Sequence, residues 1–248
     1  QTLQSLLFFL LTIICFSRSP SHPKFKLLLS GAFAFSLTTL NPIHAVIFLA
    51  AFLATQCIFF LQKKPIPITT LVVLLLVTAG MFVYMYLLST TLPHAQAKIW
   101  EGQQQTITSL PFLLTSIGPL SILVLLGIIP SLLSGNALFL FSVFLTLGTY
   151  AVFLSTIPQA ISISNVRIVF PALYPFMGAI AVHGVLLIAK KCSKIIPPMA
   201  TMTTIVLLFI LISLPTLFWE IEQKIQSQSD TKNPTIYLST PLYKMFTV

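Results

Sequence analysis

The chain has 248 residues, of which 56% are hydrophobic and 7% charged, where a soluble domain carries about 25% charged residues. That composition excludes a soluble globule and a disordered chain, and its unbroken apolar blocks exclude a porin-type barrel, whose strands alternate polar and apolar residues. The formal net charge of +9 comes from 13 Lys and Arg against 4 Asp and Glu. These cations stand in small groups beside apolar runs, the pattern of membrane topology and not of a phosphate-tracking groove, so nucleic acid is excluded as a partner.

About 20 apolar residues cross a hydrocarbon core about 30 Å thick. In chain order the predicted spans cover about 3–17, 27–41, 43–62, 69–90, 109–130, 136–157, 169–189 and 200–219. The fold class expected is therefore all-α, a polytopic transmembrane helical bundle of about eight spans over residues 1–219. A short outer tail follows over 220–248, read either as a tail or as the start of a soluble domain. The first apolar run, Leu6 to Phe16, has no Lys or Arg before it, and its positive residues Arg18, Lys24 and Lys26 come afterwards. A secretory signal has the opposite order, so this run looks like the end of a helix entering the cytoplasm, and the sequence reads as the later portion of a longer protein. Cys15, Cys57 and Cys192 are odd in number and far apart, in no Cys-x-x-Cys or Cys/His spacing. They imply neither a disulfide framework nor a metal site, and no cofactor is expected.

Orientation follows from Lys and Arg on alternate sides. One side receives Arg18, Lys24, Lys26, Lys63, Lys64, Lys190, Lys191 and Lys194; the other receives Lys98, Arg167 and the tail residues Lys224, Lys232 and Lys244. The first side is placed in the cytoplasm. Lys98, Arg167 and the tail are placed outside, in a multi-pass protein of a plasma membrane of the bacterial inner-membrane kind.

Two outer segments carry the polar residues of interest. Thr91 to Ser109 contains Lys98, Trp100, Glu101 and three consecutive glutamines. One reading is a helix lying on the membrane with Trp100 in the headgroup belt; the other adds a cleft in which Lys98, Trp100 and Glu101 contact a polar headgroup. Ile157 to Pro175 contains Asn165 and Arg167, the latter immediately before a span. A guanidinium near hydrocarbon costs energy that something must offset. Either it snorkels to lipid phosphate or pairs with a carbonyl, or its planar fork holds one specific phosphate bidentately. His183 in the seventh span and His44 near the outer end of the third read as packed, hydrogen-bonded residues. The sequence contains no Gly-rich nucleotide loop, His-Glu-x-x-His, Gly-x-Ser-x-Gly or Walker sequence.

Three stretches carry a resemblance. Lys26 to Pro42, followed by a long apolar run and Lys63-Lys64, forms a small-residue helix, a short outer turn and a second helix; Ser116-Ile-Gly118-Pro119-Leu120 opens a Leu-rich run; and Asn165-Val-Arg167-Ile-Val-Phe-Pro171-Ala-Leu-Tyr-Pro175 precedes a Gly/Ala-rich span. Together they resemble the membrane half of the GT-C glycosyltransferases, such as dolichyl-phosphate-mannose-protein mannosyltransferase-like and aminoarabinose transferase-like proteins. Ile168 stands where those enzymes carry an aromatic residue. The resemblance implies transfer of a sugar from a polyprenyl-phosphate carrier on the extracytoplasmic face, with membrane lipid and the polyprenyl-phosphate-linked sugar as partners. A base activates an acceptor hydroxyl, and its oxygen displaces polyprenyl phosphate from the anomeric carbon. Arg167 and Asn165 are then the candidates for the carrier phosphate, because a positioned donor stabilises the charge developing on the leaving group. The catalytic carboxylate of these enzymes lies in a first outer loop that this sequence does not contain, so no catalytic residue is assigned. The alternative is a multi-span transporter or flippase for a lipid-linked or small hydrophobic solute, which calls for charged or broken helices at mid-membrane.

Overall fold

The computed structural model describes residues 2–16, 23–92, 94–103, 118, 120–165, 168–169, 173–192, 197 and 199–208. Every regular element among them is helical. In chain order these are α1 (Thr2–Phe16), α2 (Pro23–Leu40), α3 (Pro42–Leu61), α4 (Ile68–Ser89), α5 (His94–Gln103), α6 (Leu120–Leu133), α7 (Ala137–Leu154), α8 (Ile157–Ala160), α9 (Leu173–Cys192) and α10 (Met199–Leu208). Four of them, α3, α4, α7 and α9, are long and apolar enough to cross a membrane. The described parts of α1 and α6 are apolar but have 15 and 14 residues, which at 1.5 Å per residue reach about 22 Å, short of the hydrocarbon thickness. The tail beyond 219 lies outside the described residues.

Local chemistry accounts for the boundaries. A single residue, Asn41, separates α2 from α3: its extended backbone breaks the helix, its side chain accepts from the His44 N–H, and Pro42 occupies the first helical position, where an N–H would have no partner. Asn136 caps α7 in the same way through the Leu138 N–H at 2.9 Å. Several Ser and Thr inside the apolar helices are satisfied by the carbonyl one turn back, as in Thr12 to Phe8, Ser30 to Lys26, Thr38 to Ala34 and Ser142 to Leu138, whereas the buried hydroxyls of Thr146 and Thr149 in α7 have no such partner. That bond removes most of the cost of a hydroxyl in hydrocarbon.

The core is aromatic. Phe8 of α1, Phe48 of α3, Phe141 of α7 and Phe176 of α9 converge, with ring centroids 5.1 Å apart for Phe8–Phe48 and Phe48–Phe141, and 5.6 Å for Phe141–Phe176. Edge-to-face and tilted pairs of this kind contribute about 0.5–1.5 kcal/mol each beyond the area they bury. Around this centre α2 packs between α1 and α4, α3 lies against α7, and α9 lies against α6 and α7. The α6–α9 contact is made by backbone: a Cβ added at Gly127 would fall on the Ile180 carbonyl, and one added at Gly184 would fall on the Leu123 carbonyl. Small residues that let backbones touch are how helices associate where lipid is as apolar as leucine.

Alternate connections fall at opposite ends. At one end the α3–α4 and α6–α7 turns meet, where Lys64 Nζ donates to the Gly135 carbonyl at 3.0 Å and lies 5.0 Å from the Phe59 ring centroid. At the other end are the α2–α3 turn, α5 and α8.

A candidate lipid site at the end remote from the lysine turns

Four pieces of chain enclose a cavity of about 650 Å³ at this end: the α2–α3 turn from Leu40 to Ile43, the last two turns of α4 from Phe82 to Ser89, His94 at the start of α5, and Ala160 to Ile163 after α8. Each is held by an identifiable device. Asn41 both caps α3 and places its Nδ2 3.4 Å from His44 Nε2, and the imidazole is buried. At the end of α4, Ser89 Oγ donates to the Tyr86 carbonyl at 2.7 Å, and Thr90 and Thr91 do the same to Leu87 and Leu88. The Leu87 and Leu88 carbonyls also accept from the Thr90 and Thr91 N–H groups, so backbone and hydroxyl bonds together close the end of the helix.

The α8 turn is strained. The Ile163 N–H reaches back to the Pro158 carbonyl at 2.9 Å and the Ser162 N–H to the Gln159 carbonyl at 3.0 Å, a Schellman closure that puts Ser162 at φ +56°. Glycine is the usual occupant, since a side chain there meets the following carbonyl oxygen. The neighbouring α5 packs closely on this turn: a Cβ at Gly102 would lie 3.0 Å from Ser162 Cα, so a larger residue there would push the two apart by a few tenths of an ångström. The two polar segments singled out by sequence thus meet, through Gly102 and Ser162.

The residues expected to form the site fall in different places. Asn165 is buried, 1% exposed, and belongs to the segment that follows the cavity; it does not line it. Trp100 is 63% exposed on α5 and also stands off the cavity. Arg167 and the side chains of Lys98 and Glu101 lie outside the described residues. Ile168, the departure from the resembling enzymes, is fully buried in the core. His183 shares a hydrogen bond of 2.8 Å with Ser131 Oγ, and its ring lies tilted against the Phe139 ring with centroids 4.2 Å apart.

Asn41, Tyr86, Ser89 and Ser162 were not singled out by sequence. Asn41-Pro42 carried a signal for the cap, an Asx residue followed by proline, but nothing local says that a cap also walls a cavity. Ser162 carried none, because a left-handed serine has no sequence signature. Comparison with protein-family models, with curated proteins and with solved structures finds no match.

Proposed function

We propose that the chain belongs to a membrane glycosyltransferase that draws sugar from a polyprenyl-phosphate carrier, and that the cavity between α4 and α8 is where a lipid substrate enters its site. In this reading the bundle crosses the membrane eight times, the lysine turns face the cytoplasm and the cavity faces outside. The observation that supports it is the cavity's lining. Asn41, Ser89, His94 and Ser162 make a polar rim over an apolar wall of Leu40, Ile43, Phe82, Met85 and Ile161. Such a division suits a molecule with a polar head and a hydrocarbon body. Arg167 follows Ser162 by five residues in sequence, which is why we keep it as the group for the carrier phosphate.

Transport is supported less well. No Asp, Glu, Lys or Arg stands in the middle of a described span, and His183 is already engaged with Ser131. The deciding experiment is equilibrium binding of polyprenyl phosphate to the 248-residue chain in nanodiscs. A hydrogen bond to a charged group contributes about 1.5–3 kcal/mol, about 10- to 150-fold in affinity. Arg167→Ala is expected to weaken binding at least tenfold and Arg167→Lys, which keeps charge but loses the fork, to fall between. Equal binding by all three forms would remove the proposal's phosphate site.

A further inference from the structure

We propose that the end of the bundle opposite the cavity is a docking surface for the anionic phospholipid headgroups of the surrounding leaflet. Its cations are Lys24 and Lys26 at the start of α2, Lys63 and Lys64 just past the end of α3, and Lys190 and Lys191 in the last turn of α9. Lipid binding there is independent of any sugar carrier at the other end.

Three pieces of chain, far apart in sequence, bring these lysines to one end. The turn that joins α2 to α3 lies at the cavity, so the start of α2 and the end of α3 share the opposite end. The α6–α7 turn is tied to them there by the Lys64–Gly135 hydrogen bond. α9 passes from Phe176, against Phe141 in the core, to His183, against Phe139 near that turn, and so runs on toward the same end to reach Lys190 and Lys191. No carboxylate of the bundle answers this charge. Through the first 219 residues the one acid in the sequence is Glu101, which belongs to α5 at the cavity end.

Depth selects a lipid over a soluble anion. Lys24 and Lys26 flank Phe25, which is 60% exposed, and Leu28 one turn on is 68% exposed; Lys63 and Lys64 follow Phe60 and Leu61, at 70% and 74%. Large apolar side chains left this open beside cations mark the level where hydrocarbon ends and headgroups begin. A lysine at that level lays its stem along the apolar layer and its ammonium among the phosphates. Lys64 keeps donors for this purpose beyond the one it gives to Gly135, because an ammonium has three. Lys63 holds its cation at φ +55°, a backbone position that glycine takes without strain, and a headgroup phosphate beside it offsets that strain. Each lysine near an anionic leaflet strengthens the attraction about fivefold. An acidic protein or a nucleic acid would have to reach the same cations through the layer that the phosphates already occupy.

The test uses the full 248-residue chain in phosphatidylcholine nanodiscs doped with a phosphatidylglycerol or a phosphatidylcholine photoprobe. Both probes carry a diazirine on the first carbons of the acyl chain, and mass spectrometry locates the adducts. At equal probe content the anionic probe is expected to label 24–28, 59–64 and 186–191 about fivefold more than its neutral counterpart, the gain from a single lysine. Ionic strength of about 1 M, where the screening length is about 3 Å, should reduce that preference. Lys24→Gln with Lys26→Gln should bring 24–28 toward parity and leave 186–191 unchanged. The comparison of probes is made on the unsubstituted chain and so does not depend on that variant folding. Equal labelling by the two probes overturns the inference, as does an undiminished preference at 24–28 in the variant. Displacement of the anionic probe by soluble glycerol phosphate would assign the lysines to a free anion, and displacement by polyglutamate to an acidic protein; either overturns the lipid assignment. None of these outcomes touches Arg167 or the cavity, so the glycosyltransferase reading stands or falls separately.

Discussion

Gly127 of α6 and Ile180 of α9 meet backbone to backbone: a Cβ at Gly127 would lie on the Ile180 carbonyl oxygen, 2.8 Å from its carbonyl carbon and 3.0 Å from the Gly184 nitrogen. Neither helix can yield locally, because the atoms in the way are main chain. Gly184 makes the reciprocal approach to Leu123, so the two helices are held at one separation by a pair of absent side chains.

Gly127→Ala should therefore destabilise the bundle by about 1–3 kcal/mol, the range of overpacking in a closely packed interior, and read out as a lower Tm in detergent. Gly178→Ala on α9 is the control. A Cβ there meets nothing within 4 Å, and alanine favours a helix by up to about 1 kcal/mol, so this variant should match or exceed the parent. Equal behaviour of the two variants would deny the contact.

Between the same two helices, Ser131 and His183 share a hydrogen bond. Hydrogen bonds between membrane helices average about 0.6 kcal/mol and reach about 1.7. A double-mutant cycle of Ser131→Ala and His183→Ala, followed by denaturant unfolding in micelles, should give a coupling energy inside that range. A coupling of zero would make His183 a packing residue only, held by Phe139.

At the opposite end of the bundle from the cavity, Lys63 sits at φ +55° in the turn that ends α3, with the Lys64 N–H reaching the Phe59 carbonyl at 2.9 Å. This is the glycine position of a Schellman closure. Lys63→Gly should raise stability by about 1 kcal/mol by removing the clash of the side chain with the backbone. Lys63→Ala, which retains a Cβ, should not. A thermal scan that ranks alanine with glycine would assign the effect to lost charge.

The Lys64–Gly135 hydrogen bond places the α3–α4 and α6–α7 turns at one end, while Thr91 stands beyond the end of α4, beside the cavity. With Cys15, Cys57 and Cys192 replaced, single cysteines at Ser134 and Thr91 should react with a membrane-impermeant maleimide from opposite faces, Thr91 from outside. Labelling of both from one face would contradict the proposed topology.

Membrane class and the main helix limits were legible from residues alone, since the length of an apolar run against the thickness of hydrocarbon is a one-dimensional quantity. The runs expected at 43–62 and 69–90 appear as Pro42–Leu61 and Ile68–Ser89, with Asn41-Pro42 marking the turn before the first of them. Of the eight crossings expected, four described helices meet the length and apolarity a crossing needs. What the residues could not convey is which helix lies against which. In a soluble protein an apolar stripe names the buried face, but in a chain that is apolar all round the lipid-facing and protein-facing sides are written in the same letters. Pairing is then decided by shape: where Gly127 and Gly184 permit backbones to touch, where four phenylalanine rings fit together, and where Gly102 lets α5 settle on Ser162. The cavity is a consequence of those contacts. Its walls come from segments up to 123 residues apart, from Leu40 to Ile163, and no local pattern could have announced that they would meet.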